Sequence, residues 1–583
     1  SKCGLSFKIL STISRIKMLK NLLIFTAIFL PALALADVEP AVRNSELYGV
    51  LTLIPPVAAI VLAFITKDVI LSLFLGVLSG TFLIGMVDQN IAASALFAFT
   101  DLCSRMVKSM ADTWNAGILL QVMCIGGLIA LVTKSGGTKA LALWLSKHAD
   151  TPVLGQIYTW LMGIVIFFDD YANALIVGPI MRPLMDKFKI SRAKFAFIID
   201  ATAAPITGIA VISTWVGVEI SAIKEAYSQI GIENINAFTV FVETIPYRFY
   251  NIFMIFFVVA TAVMSREFGS MYRAEIASRG GKSGAADFKI KNLEDQIFVP
   301  KEGVVLRKLN ALIPLGAMIV LSVVGFYFNG LSSLEGETLE AVKAAPLSFT
   351  SIRTAFSAAD ASVVLFQSAL FSSIIAVVLG IAQKIYGIKE AIEVWVGGWK
   401  SMLNTVIILL FAWSLSSVIK ELGTSRYLVE LLSDATPRFA LAIVIFVLSS
   451  FISFSTGTSF GTMGIVTPLA VPLAHAVGQK YGLSGEEFHV FMCVNISAVL
   501  TGAIFGDHCS PISDTTILSS MGAGCDHIEH VSTQMTYALV VCGISIVCGY
   551  LPAGFGLSVW GCLILGIAAI ILLLRVVGKR VDV

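Results

Sequence analysis

About eleven stretches of this chain are apolar for close to the length that crosses a bilayer, and no other feature constrains the fold as strongly. They run roughly over 48–66, 69–87, 114–134, 195–212, 240–264, 311–329, 361–383, 405–422, 488–505, 532–552 and 557–577. In hydrocarbon every backbone N–H and C=O must be satisfied inside the protein, so runs of this length fold as helices. Only 13% of the 583 residues are charged, against about 25% in soluble domains. An all-α polytopic membrane protein remains, and a soluble domain is excluded. A formal net charge of +2 with no isolated basic block leaves nothing to attract nucleic acid.

Two further apolar segments, 153–188 and 439–475, are too long for one crossing and are interrupted near their centres by FDDYAN (168–173) and FSTGTSFGT (454–462). The pattern predicts two re-entrant helical hairpins, because irregular backbone at membrane depth persists only where protein or a cavity surrounds it. Lys and Arg in short loops mark the cytoplasmic side. Counting spans from an outside start at Asp37 places Lys134, then Lys187, Lys189, Arg192 and Lys194, then the basic loop 265–310, and finally Arg575, Lys579 and Arg580 inside. Upstream, 18–36 reads as a signal peptide ending in Ala34-Leu35-Ala36, or as an N-terminal hydrophobic segment. Residues 1–17 read as an upstream extension ahead of Met18.

The chain repeats itself. ILLQVMCIGGLIALVTKSGGTKALALWLSKHADTP from Ile118 aligns with ILLFAWSLSSVIKELGTSRYLVELLSDATP from Ile408. Each is followed by a phenylalanine before a polar tip (Phe168, Phe454) and then by a Thr-Gly pair (Thr207-Gly208, Thr501-Gly502). An odd number of spans precedes the basic loop, so the second copy crosses in the opposite sense. The expected organisation is a first inverted repeat over 48–264, a second over 311–552 and an extra C-terminal helix over 557–577. Repeats of this kind hold solute near the membrane midplane, where discontinuous helices meet.

Ionisable groups at that depth cost at least about 2.5 kcal/mol each and so mark partners or function. The first hairpin tip carries Asp169 and Asp170, with Asn173 a turn further on. The second carries no charge but offers the oxygens of Thr456, Thr458 and Ser459, which suit a hard cation or, through helix dipoles, a carboxylate. The densest cluster is NISAVLTGAIFGDHCSPISD, from Asn495 to Asp514. There Gly506 and Pro511 are expected to break a helix and free carbonyls beside Asp507, His508, Ser510, Ser513 and Asp514. A carboxylate in such a place binds either a proton or a cation. Asp200 and Thr202, with Thr207, Ser213 and Thr214, occupy the comparable broken span of the first repeat. Asp101, Arg105, Lys108 and Asp112 read as the polar face of an interfacial helix. His508, Cys509, Cys525, His527 and His530 match no standard zinc spacing.

FDDYAN (168–173), STGTSFGTMGIVTPLAVPLA (455–474) and GDHCSPISDTTILSSMGAGCDHIEHVSTQ (506–534) resemble the NhaC family of sodium/proton antiporters, over about 48–575. The resemblance implies two inverted repeats with paired re-entrant hairpins, an elevator-type transporter fold, a homodimer and no ATPase. Some relatives in that superfamily exchange malate for lactate or carry amino acids. The expectation is therefore a secondary antiporter of the inner membrane. Na⁺ would lie between the hairpin tips and the GDHCSPISD segment, at Thr456, Ser459, Asp507 and Asp514, with H⁺ exchanging at Asp507 or Asp514. No cofactor is expected, Na⁺ being cargo. The runner-up is a Na⁺- or H⁺-coupled carrier of a small carboxylate or amino acid that uses Asn173 or Asn495. A metalloenzyme built on His508, His527, His530 and the cysteines is the third reading.

Overall fold

The computed structural model describes residues 39–66, 68–146, 149–281, 303–432 and 436–581. The signal-peptide reading of 18–36 and the extension 1–17 lie outside the described residues, as does 282–302 of the basic loop. Among the described residues ten helices are long and apolar enough to cross a membrane. An eleventh candidate is the pair Ala237–Tyr247 and Phe249–Met264, bent by 47°, where Pro246 removes a backbone donor.

In the first half, helices α1 (Ile54–Thr66) and α2 (Val69–Gly85) form a hairpin, and amphipathic α3 (Ile91–Ala111) leads to α4 (Thr113–Lys134). Side chains cap three of these starts: Asp68, Asn90 and Asp112 each accept a backbone N–H three residues on, satisfying donors a helix start leaves open. The first hairpin is α5 (Pro152–Val165) and α6 (Asp170–Lys187), followed by α7 (Arg192–Thr202), a short turn of helix at Ala204–Thr207, an irregular stretch, α8 (Val216–Ser228) and α9 (Phe249–Met264). The span expected at 195–212 is therefore a broken one that reaches Ser228. Its outer half carries Glu219, Lys224 and Glu225, and those charges hid it from a hydropathy reading.

The second half repeats the order: α10 (Leu309–Ser333), α11 (Ala361–Ala382), amphipathic α12 (Ile388–Ser401), α13 (Leu403–Leu422), the hairpin α14 (Arg438–Thr456) and α15 (Ser459–Lys480), then α16 (Gly485–Cys509), α17 (Asp514–Ala523) and α18 (His527–Ile544), with α19 (Val559–Val576) added last. Both limbs of this hairpin are long enough to span, at 19 and 22 residues. The helix α16 does not break at Gly506 as expected. It runs on to Cys509, and Gly506 instead lets α14 approach, since a Cβ there would strike the Ser450 carbonyl. The interruption falls at 510–513, around Pro511.

Corresponding helices also correspond in packing. α2 lies on α13 as α11 lies on α4, and amphipathic α3 meets α13 as α12 meets α4. Most telling is the exchange between halves: α6, the returning limb of the first hairpin, packs on α17, while α15, its counterpart, packs on α8. Each hairpin is thus bound to the distal half of the other copy's broken helix. On the face assigned to the cytoplasm, two short strands pair antiparallel, β1 (Arg266–Glu267) and β2 (Lys579–Arg580). Arg266 there donates to the carbonyls of Leu574, Arg575 and Gly578, closing the end of α19. Nothing in the sequence reading anticipated that ladder.

Candidate functional site

The two hairpin tips and the two broken helices converge. Asp169 is 1% exposed and Asp170 6% exposed, although both sit at a tip. Asp169 accepts from Thr214 Oγ1 at 3.2 Å, and Thr214 N–H donates to the Phe168 carbonyl at 3.0 Å, so the irregular stretch after α7 holds this tip. Asp170 is bonded by the Trp215 side chain and feels the charges of both Asp169 and Asp507.

Across from it, Asp507 is 5% exposed. Its Oδ2 accepts the Ser459 hydroxyl at 2.8 Å, and the Ser459 N–H also points to this carboxylate. Ser459 opens α15, so Asp507 lies against the positive end of that helix dipole. Its other oxygen, Oδ1, is buried and accepts no close hydrogen bond, the Ser513 hydroxyl being the further donor that faces this carboxylate. Among the described residues, the fully buried cations Lys194 and Arg248 are engaged elsewhere, with Glu267 at 2.9 Å and Glu219 at 2.8 Å. No three His, Cys, Asp or Glu side chains among the described residues converge as a metal centre would require.

Several candidates serve other ends. Asn173 donates to the Gly163 and Thr202 carbonyls at 3.1 and 2.7 Å, stapling the first hairpin to α7. Asn495 donates to the Phe491 carbonyl of its own helix at 2.8 Å. Thr202 and Thr456 donate to carbonyls a turn back, of Ile198 and Ile452. The Thr458 carbonyl, ahead of α15, accepts from Ser453 and Thr462. Ser510 ties the break after α16 to the Phe454 carbonyl at 2.7 Å, and Ser513 caps α17. His508 turns away from the carboxylates: its Nδ1 meets the Tyr250 hydroxyl at 2.7 Å. Asp514 is exposed and bonded by Tyr171. Asp200 accepts from Gln534 Nε2 at 2.6 Å and Ser519 Oγ at 3.3 Å.

Residues that the sequence reading passed over frame this site. Arg248, fully buried, donates to Glu219 and to the Gly208 carbonyl, pinning the point where the first broken helix unwinds. An arginine inside an apolar run was itself the available signal; its partner lay beyond the expected end of the span. A cavity of about 440 Å³ opens at the outer end between α3, α4, α8 and α13, lined by Arg105, Asp112, Trp114, Lys224, Glu225 and Trp413 among others. The polar face of α3 thus serves it, with Arg105 bonded to Asp101 at 2.7 Å and Glu421 at 2.5 Å. A narrower pocket shares Ser221, Glu225 and Trp413 with this cavity and ends at Phe460. There the Phe460 ring meets Trp215 edge-on, centroids 4.8 Å apart. Trp215, the other member of this pair, is the side chain that bonds Asp170.

At the opposite end, α6 and α17 cross at two glycines: a Cβ on Gly178 would lie 2.5 Å from the Gly522 backbone. Arg182 and Arg192 donate to the last carbonyls of α17, those of Met521, Gly522 and Ala523. The helices thus meet closely at the end that the basic residues assign to the cytoplasm, and the cavity lies at the other.

A sequence model of the Na⁺/H⁺ antiporter family matches residues 206–555, which include the second hairpin and both broken helices' distal halves. The chain belongs to the Na⁺/H⁺ antiporter family. An uncharacterized protein of Haemophilus influenzae is 32% identical over 510 residues, covering 88% of this chain and 92% of that one. A malate-2H⁺/Na⁺-lactate antiporter of Bacillus subtilis is 32% identical over 176 residues, 29% of this chain and 34% of that protein. An uncharacterized Na⁺/H⁺ antiporter of Haemophilus influenzae is 34% identical over 101 residues, 17% of this chain and 19% of that one. Membership and the apolar spans make this a multi-pass inner-membrane secondary transporter.

Proposed function

We propose that the protein exchanges Na⁺ for H⁺, with Asp507 as the group for which the two ions compete. The observation that carries this reading is Asp507 Oδ1, buried without a close donor while Oδ2 is held at the start of α15. An uncompensated carboxylate in low dielectric is costly and is relieved by a proton or by a cation. One carboxylate with two alternative occupants couples their movements, since binding of one expels the other. A Na⁺ there takes its remaining oxygens from hydroxyls and carbonyls around Ser459 and the second hairpin tip, while Asp169 and Asp170 supply further negative field. Sodium enters from the outer cavity past Trp215 and Phe460. Opening to the cytoplasm requires α6 and α17 to part, breaking the contacts of Arg182 and Arg192.

The buried site presents carboxylates, both amide hydrogens of Asn173 are committed to backbone carbonyls, and Asn495 donates to its own helix at Phe491. That favours a cation over an organic acid as the bound species. The test is Na⁺-induced pH change in everted vesicles lacking other antiporters, with malate and lactate added in parallel. Loss of the Na⁺ response in Asp507→Asn supports the reading. A native protein that responds only when an organic acid is present overturns it in favour of a coupled carrier.

A further inference from the structure

Asp200 makes none of the contacts of the cation site just described, although the charge of Asp507 reaches it, and it is joined to the HIEH stretch (527–530). We propose that His527, Ser520 and His530 form a proton path from the cytoplasmic face to Asp200, distinct from the route of the cation. The inference rests on the exchange reading above. His527 stands half-buried at the cytoplasmic start of α18, with its Nε2 2.7 Å from the Pro511 carbonyl and its Nδ1 3.1 Å from Ser520 Oγ. Ser520 Oγ lies 2.8 Å from His530 Nδ1. His530 and Asp200 are both fully buried; His530 Nε2 is 2.9 Å from Gln534 Oε1 and 3.9 Å from Asp200 Oδ2. Gln534 in turn donates to Asp200 at 2.6 Å and to the His508 carbonyl.

When His527 is protonated its Nε2–H donates to Pro511 and its Nδ1–H to Ser520; the serine hydroxyl, which donates to the Thr516 carbonyl at 2.8 Å, swings to His530 Nδ1 for transfer, while His530 Nε2–H donates to Gln534 and Gln534 to Asp200. Transfer along this chain balances. The Nδ1 proton of His527 passes to Ser520 Oγ as the serine proton passes to His530 Nδ1. His527 is left neutral, Ser520 a hydroxyl and His530 an imidazolium. His530 then gives its Nε2 proton to Asp200, keeping the one on Nδ1; hydrogen-bond distance is about 3 Å, so the ring closes by about 1 Å. The charged groups around the path are Asp526, the N-cap of α18, and Glu529 in its first turn, Arg182 of α6 and Arg192 of α7 at the end of α17, and Asp507, whose charge reaches Asp200, with His508 of α16 on the far side. Two imidazoles and a hydroxyl are residue types that relay protons near neutral pH.

Exchange of ²²Na⁺ for Na⁺ needs no proton, whereas Na⁺/H⁺ exchange does, and comparing the two in proteoliposomes isolates the path. In Ser520→Ala and His530→Gln, Na⁺-driven proton movement is expected to fall about tenfold or more, with Na⁺/Na⁺ exchange within about twofold of native and with Ser520→Thr restoring most of the proton movement. An equal fall in both exchanges, or proton movement unchanged in both variants, overturns the path while native Na⁺/Na⁺ exchange leaves the exchange reading standing. Absence of both exchanges in the native protein removes that reading and the path together.

Discussion

Asp507 and Asp514 read alike in sequence, two acids in one motif, and the structure separates them by burial. Asp507 is enclosed with one oxygen lacking a close donor, whereas Asp514 is exposed and bonded by Tyr171. Asp507→Asn is therefore expected to lower Na⁺/H⁺ exchange by about two orders of magnitude, each factor of ten being about 1.4 kcal/mol, and Asp514→Asn by much less. Equal losses in the vesicle assay would assign the ion to both. Arg248 and Glu219 are a different case, a pair with neither side chain exposed. Removing one partner strands a buried charge at about 3 to 5 kcal/mol, while replacing both with apolar residues is far milder. Thermal unfolding of detergent-purified Arg248→Ala should show a large drop, and Arg248→Met with Glu219→Leu should recover most of it. A double variant as unstable as the single would mean that the lost bond to Gly208, rather than the stranded charge, dominates.

At the scale of elements, the close crossing of α6 and α17 is the part that must move if the cytoplasmic side is to open. A methyl group on Gly522 would sit 2.5 Å from the Ala174 carbonyl, which well-packed helices accommodate only by shifting. Gly522→Ala is expected to force the first hairpin from α17, shifting the population toward the cytoplasm-open form, and a cysteine placed at Ser519 should then react faster with thiol reagents in everted vesicles. Unchanged reactivity with normal expression would show that the crossing relaxes locally. The pairing of α6 with α17 and of α15 with α8 also explains why the hairpins were legible as interruptions but not as partners. An apolar run broken by FDDYAN announces a turn; which helix the returning limb meets depends on residues hundreds of positions away.

For the whole molecule, the basic residues set the orientation and the structure places the open cavity at the end they assign to the outside. Ser417 lines that cavity, so Ser417→Cys should react with a membrane-impermeant thiol reagent in intact spheroplasts and not in everted vesicles; the reverse pattern would invert the topology. The number of spans, the two interrupted hairpins, the internal repeat and the cluster from Asn495 to Asp514 follow from the sequence alone, because hydrocarbon admits little besides apolar helices and penalises each polar residue enough to make it conspicuous. Composition could not say which polar groups were already satisfied. Asn173, Asn495 and His508 looked like ligands and are anchored to Gly163 and Thr202, Phe491 and Tyr250; each still keeps one buried atom without a partner, as Asp507 does, but of the four only Asp507 is a carboxylate. The outer limb at 216–228 stayed hidden because its charges face a cavity and Arg248 rather than lipid. Those outcomes belong to the tertiary structure, since a hydrogen bond is decided by distance and direction, and neither is set until the two halves of the chain have packed together.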